Sequence, residues 1–220
     1  MSPRSPSDDS TGHRERKKAA TRAALSQAAL ELALEHGLDG VRIDDIAKRV
    51  GVSPRTFNNY FSSKEAAIVG VGNARGETLL AALAARPVDE DVWTALGHAV
   101  RTLFPEDPDP GFTARSHLLK DEPSLAAEQL KSDAALERAL AEAIAERTDT
   151  NLKKDLYPRL AAATFFAAVH TALDAWLSAP RGPSLSHLLS SALEQISEGL
   201  APPRTAPRST RKRPVLLDRK

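Results

Sequence analysis

The chain has 220 residues, enough for one large or two modest domains, and no Cys, which excludes disulfides, thiolate metal sites and a cysteine nucleophile. Its formal charge of +1 is unevenly spread: residues 1–65 carry 11 basic and 9 acidic side chains, residues 66–203 carry 12 and 19, and residues 204–220 carry 7 and 1. Basic ends on an acidic body fit a chain whose ends meet a polyanion. No amino-terminal segment joins a basic start to an apolar run, and "LAAATFFAAV" (Leu160–Val169) meets His170 and Asp174 too soon for a bilayer span, so a soluble cytoplasmic protein is expected.

Ala, Leu, Glu and Arg recur at helical spacing almost throughout, without β-branched alternation long enough for a sheet, so the expected fold class is all-α. Residues 1–13 are polar and rich in Ser, Pro and Asp, and read as a disordered tail. The first helix is expected over Arg14–His36, with Leu25, Ala29, Leu32 and Ala33 as its apolar stripe and Gly37 as its cap. Its opening turns, "RERKKAATR", are too basic for a helix amino terminus, where the dipole favours acids. A polyanion alongside would compensate.

"RIDDIAKRV" predicts a short second helix with Ile43, Ile46, Ala47 and Val50 on one face, stopped by Gly51. Ser53 then caps a third helix with Pro54 at its first position. Two short helices across a three-residue turn containing Gly form a helix-turn-helix pattern. At about 100° per residue, Phe57 and Phe61 share one face of the third helix while Arg55 and Asn59 share the opposite face. Arg can bond guanine bidentately and Asn can do so with adenine, so the outward face suits base edges. The DNA candidates are Arg42, Ser53, Pro54, Arg55, Thr56, Asn58, Asn59, Tyr60 and Lys64, with Arg42, Tyr60 and Lys64 as phosphate contacts.

A longer helix, capped by Ser62 or Ser63 and ending before Pro87, contains Gly70, Gly72 and Gly76. These glycines admit either close approach of a neighbouring helix or a hinge. Further helices are expected at Asp91–Phe104, Thr113–Lys120, Ser124–Arg147, Asp155–Ser178 and Ser184–Gly199, followed by a disordered basic tail over residues 201–220.

"VRIDDIAKRVGVSPRTFNNYFSSKEAAI" (Val41–Ile68), preceded by an amphipathic helix ending "LEHGLDG", resembles the DNA-binding domain of the TetR/AcrR family of one-component regulators. "DIA", "GVSPRT", "YF" and "SKE" fall in that family's order and spacing. Arg42 stands where members commonly carry Thr, and Asn58 where an aromatic residue is usual. The resemblance implies a three-helix helix-turn-helix domain over residues 14–68, a helical ligand-binding and dimerisation domain over residues 69–200, and a homodimer that usually represses. It further implies a hydrophobic or amphipathic effector, such as a fatty-acyl thioester or lipophilic metabolite.

In the second domain the last helix carries an apolar band and the helix before it is apolar around much of its circumference. Leu173, Trp176, Leu177, Leu185, Leu189, Leu193 and Ile196 are candidates for a dimer interface of two helices from each chain, an intramolecular core being the alternative. Trp93, Phe104, Phe112, Phe165 and Phe166 could line a ligand pocket, with Arg115, His117 and His170 as its polar groups. No cofactor or metal is expected. The six His are scattered and HExxH, GxSxG and Walker sequences do not occur, so an enzyme is not expected. The reading is of a ligand-responsive homodimeric regulator on a palindromic operator. The alternative is a constitutive or architectural DNA binder.

Overall fold

The computed structural model describes residues 6–104, 108, 110–179 and 181–200. The basic stretch 201–220, expected to be a disordered tail, lies outside them. Ten helices and no strand occupy the described residues. The all-α expectation therefore holds.

Helix α1 (Pro6–Gly40) begins within the stretch expected to be disordered. That start moves the basic run out of the first turn, where the helix dipole would oppose it. The helix breaks where anticipated, at Gly37, whose φ of 71° and ψ of 163° an L side chain would resist. Helix α2 (Ile43–Val50) buries Ile46 and Ala47 against α1, and Gly51 closes it in the left-handed conformation with φ 76°. The Gly51 and Val52 N–H groups then satisfy the Lys48 and Ala47 carbonyls at 3.1 and 2.9 Å. Ser53 caps α3 (Pro54–Asn58), its hydroxyl accepting from the Thr56 N–H at 3.1 Å. Beyond Asn58 the chain stays coiled, with the Phe61 N–H donating to the Phe57 carbonyl at 3.0 Å.

The long helix expected before Pro87 is two helices, α4 (Lys64–Gly70) and α5 (Asn73–Ala84), and Ser63 rather than Ser62 caps the first. Between them the Gly72 N–H donates to the Val69 carbonyl at 2.9 Å, a three-residue tightening of the coil. The glycines here allow close approach. A Cβ would lie 2.7 Å from Ser26 Oγ at Gly70, 2.7 Å from Arg115 Nη2 at Gly72, and 2.5 Å from Leu136 Cδ2 at Gly76.

Helices α6 (Val92–Leu103), α7 (Pro110–Asp121), α8 (Pro123–Arg147), α9 (Tyr157–Ser178) and α10 (Leu185–Ser197) complete the chain. Asp91 caps α6 by accepting from the Trp93 and Thr94 N–H groups, and Ser184 caps α10 from the His187 N–H. All five lie within a few residues of the spans read from the periodicity.

Two cores organise these helices. The first gathers Leu25, Ala29, Leu32, Ile46, Phe57, Phe61 and Ile68 from α1 to α4, together with Leu125 from α8. Leu118 and Leu119 of α7 pack on its edge, so the joint between α7 and α8 is plugged into the amino-terminal core. The second gathers Leu96, Leu140, Ile144, Phe165, Leu185 and Leu189 from α6, α8, α9 and α10. Helix α9 is long and apolar enough to cross a bilayer by length and composition, but Ala161, Ala162, Phe165, Phe166 and Ala172 are buried in this core.

Burial within the chain takes up four of the seven residues expected at a dimer interface. Leu185, Leu189 and Leu193 are 0%, 1% and 4% exposed within their own chain, and Leu177 is also buried. Leu173, Trp176 and Ile196 are partly buried against the same cluster. The reason is geometric: α10 turns its leucine stripe toward α9 and α6 of its own chain. The intramolecular alternative accounts for Leu177, Leu185, Leu189 and Leu193, while Leu173, Trp176 and Ile196 keep part of their surface exposed.

Candidate DNA-reading face and ligand cavity

Phe57 and Phe61 are buried with ring centroids 5.8 Å apart, while Arg55, Asn58 and Asn59 are exposed on the far side of α3. The capping geometry fixes this rotation. Ser53 and Thr56 link their hydroxyls at 2.9 Å, so the first turn is set before any DNA arrives. Ser53, Pro54 and Arg42 are exposed beside it, and Thr56 and Tyr60 are half-buried.

Two cations near this face have structural duties. Lys64 donates from Nζ to the Leu38 and Val41 carbonyls at 2.7 and 3.2 Å, which leaves one of its three N–H donors for a phosphate. Arg22, hidden within a basic run in the sequence, lays its guanidinium 4.5 Å over the Phe61 ring and donates from Nη1 to the Tyr60 carbonyl at 3.2 Å. It therefore joins α1 to the end of α3. Arg49 does the same between α1 and α2 through a bidentate pair with Glu35 at 3.0 and 2.9 Å. That pair holds the Glu35 carboxyl below its usual range and the Arg49 guanidinium above its own. Arg14, Arg16, Lys17 and Lys18 are exposed.

The second domain contains a cavity of about 430 Å3 between α5, α6, α7, α8 and α9. Its volume lies within the roughly 300–1,000 Å3 of typical ligand pockets. The structure brings Phe104, Phe112, Arg115, Phe165, Phe166 and His170 to its wall, six of the eight residues expected there. Trp93 instead packs against the second core, and His117 is exposed on the outer side of α7. Helix geometry corrects both: Trp93 shares a face of α6 with Val100 but lies two turns, about 10 Å, away along the axis, and His117 lies two residues beyond Arg115, on the opposite side of the turn.

Several wall residues escaped the sequence reading: Gly72, Arg75, Lys120, Gln129, Asp133 and Asp174. Only their convergence in space marks them, since each alone reads as a solvated helix position. The Arg75 guanidinium sits 4.5 Å over the Phe112 ring. Asp133 accepts from Gln129 Nε2 at 2.7 Å and pairs with His170 Nε2 at 3.0 Å, and Lys120 pairs with Asp174 across α7 and α9. The hydrogen bond to the Asp133 carboxylate raises the His170 pKa against the opposing effect of burial. Arg115 is only 7% exposed. Burial, reinforced by the charge of Arg75 and opposed by Asp133, pulls its pKa down to about 10.

Two family models match the chain, in separate stretches. Residues 25–68 match the bacterial regulatory proteins of the tetR family, and residues 90–201 match the MftR C-terminal domain. The chain belongs to the TetR family. This TetR-family chain is 34% identical over 199 residues to the HTH-type transcriptional regulator TcmR of Streptomyces glaucescens, covering 87% of each chain. It is 28% identical over 188 residues to the regulator MftR of Mycobacterium tuberculosis, covering 84% of this chain and 93% of that one. Among solved structures it shares the fold of Thermus thermophilus FadR in complex with lauroyl-CoA, with TM-score 0.51, 22% identity and coverage of 86% and 98%. It likewise shares the fold of Bacillus subtilis FadR in complex with stearoyl-CoA, with TM-score 0.52, 17% identity and coverage of 80% and 97%. The TetR-family assignment makes this protein a DNA-binding transcriptional regulator with a helix-turn-helix.

Proposed function

We propose that the protein is a ligand-responsive homodimeric repressor that acts in the cytoplasm on a palindromic operator. Arg55, Asn58 and Asn59 read base edges from α3, and Arg42 with the exposed basic residues of α1 neutralises phosphates. Two α3 helices roughly 34 Å apart would enter successive major grooves. The effector is a hydrophobic or amphipathic molecule held in the cavity between α5 and α9. The FadR neighbours hold lauroyl-CoA and stearoyl-CoA within the same fold, which supports an apolar guest.

One observation carries the ligand arm. Leu119 and Ala126 line the cavity, while Leu119 also packs on the amino-terminal core and the adjoining Leu125 is fully buried in it. A guest that shifts the joint between α7 and α8 must therefore disturb the packing beneath α3. Differential affinity for the two arrangements sets the change in DNA binding. The break between α4 and α5 is where the amino-terminal helices would tilt.

For the dimer, Leu160, Ala163, Ala167, Thr171 and Ala175 form an exposed stripe along α9 with i+3 and i+4 spacing. The small side chains permit close approach of a second copy. Light scattering of Ala167→Arg should give a folded monomer where the parent is a dimer; a monomeric parent would end this reading. Footprinting of the promoter upstream of the protein's own gene, with and without long-chain acids and acyl thioesters, tests the remainder. Protection of an inverted repeat that is lost with a guest is expected, and protection insensitive to every guest would favour a constitutive binder.

A further inference from the structure

The cavity wall combines apolar side chains such as Phe165, Phe166 and Leu136 with a set of charged ones, and the two kinds of lining imply different parts of a guest. The charged wall residues are Arg75, Arg115 and Lys120 against Asp133 and Asp174, an excess of one positive charge with His170 neutral. Asp174 is engaged by Lys120, and Asp133 by His170 and Gln129. Arg115 is more than nine-tenths buried, and its Nε has no hydrogen-bond partner among the described residues. A buried guanidinium with an unsatisfied donor is costly unless an acceptor arrives. Gln129 Oε1, buried and likewise without a partner, offers an acceptor on the same wall.

The position of Arg115 adds a second observation. Its Nη2 occupies the place beside Gly72 where any side chain would intrude, 2.7 Å from the Cβ that Gly72 lacks. Gly72 is the second of the two residues between α4 and α5 and caps α5. The missing side chain keeps a seat for the guanidinium at the junction of the two domains.

Resting on the reading that the cavity holds an effector, we propose that the effector is an organic anion with an apolar body, its charged end bound by Arg115 beside Gly72. The apolar body lies along Phe165 and Phe166. The anion neutralises a charge wedged against the turn at which α4 meets α5, so its arrival is felt directly at the base of the DNA-binding helices. A neutral guest of the same shape fills the cavity without engaging that wedge.

Decanoate and decanol, alike in body and different in charge, test this on the full chain through tryptophan fluorescence. Trp176 lies 5.9 Å from Phe112 on the cavity wall, and Trp93→Phe removes the other indole. Decanoate should bind about tenfold or more tighter than decanol, the scale of a charge-assisted hydrogen bond. Arg115→Met should equalise the two probes while leaving decanol affinity within about threefold, because an apolar replacement of similar length keeps the wall. Gly72→Ala should also shrink the preference, since its new Cβ displaces the flexible end of Arg115 while leaving the charge in the chain. Equal affinities in the parent, or a preference that survives Arg115→Met, overturns the anion assignment and leaves the effector reading standing. Failure of both probes to bind overturns it together with that reading.

Discussion

Leu25, Ile46, Phe57 and Ile68 meet at full burial in the amino-terminal core, whereas Phe112, Phe165 and Phe166 in the second core form part of the wall of a cavity. Both cores are built from Ala, Leu and Phe on amphipathic helices. They differ in what the filling is for. A helix that presents side chains to a groove must not rotate, so α3 is held by two buried rings, a Ser cap and Arg22 stacked on Phe61. A domain proposed to receive a guest must leave volume unfilled and accept the packing it forgoes.

Truncating an aromatic in each core is the strongest way to break this comparison. Phe57→Ala should destabilise the protein by about 3–5 kcal/mol, because the surrounding helices cannot collapse into the space. Phe166→Ala should cost less, since that ring already borders the cavity. Equal losses in denaturant melts would erase the distinction. Next in size is Arg55→Ala with Asn59→Ala. These exposed changes should leave stability within about 0.5 kcal/mol. Each should remove about 1–3 kcal/mol of base discrimination, read as the ratio of operator to non-specific binding in gel shifts. Unchanged discrimination would deny α3 its role as reader.

Gly76→Ala probes the seam between the regions. The new Cβ would meet Leu136 Cδ2 at 2.5 Å, so that side chain must rotate. A net loss of about 1 kcal/mol is expected after the gain in helix propensity, and a stabilised protein would show that α8 yields freely. The smallest effect concerns pH. Asp133 raises the His170 pKa above its unfolded value, so this pair stabilises the folded domain fully below the unfolded value of about 6.5. That contribution fades as pH rises through the raised folded value. Because the imidazole is half-exposed, the change should stay under about 0.5 kcal/mol, visible as a slightly lower melting midpoint that Asp133→Asn removes.

The amino-terminal region was largely legible in sequence because its signals are local. Gly51, Ser53 and Pro54 specify a turn and a cap within four residues, and the 100° increment then assigns Phe57 inward and Arg55 outward. The helices of the second domain were legible for the same reason, but their partners were not. Periodicity says that Leu185, Leu189 and Leu193 face something, and nothing in it separates α6 of the same chain from a second subunit. Arg75, Gln129 and Asp133 were missed as cavity residues because α5 and α8 are far apart in sequence. The long helix before Pro87 divides in two because Ser26, Arg115 and Leu136 crowd its glycines, and two of these three come from α7 and α8.

Lys64 stands at the start of α4, yet its ammonium is bonded to the Leu38 and Val41 carbonyls, where α1 gives way to α2. A cantilever transmits displacement only when its root does not flex, and this clasp stiffens the root. Any tilt imposed on α4 must then drag α1 and α2 along with it, so α3 is carried through space as cargo without being reshaped. The regulator would let go of its operator by mispositioning an intact hand.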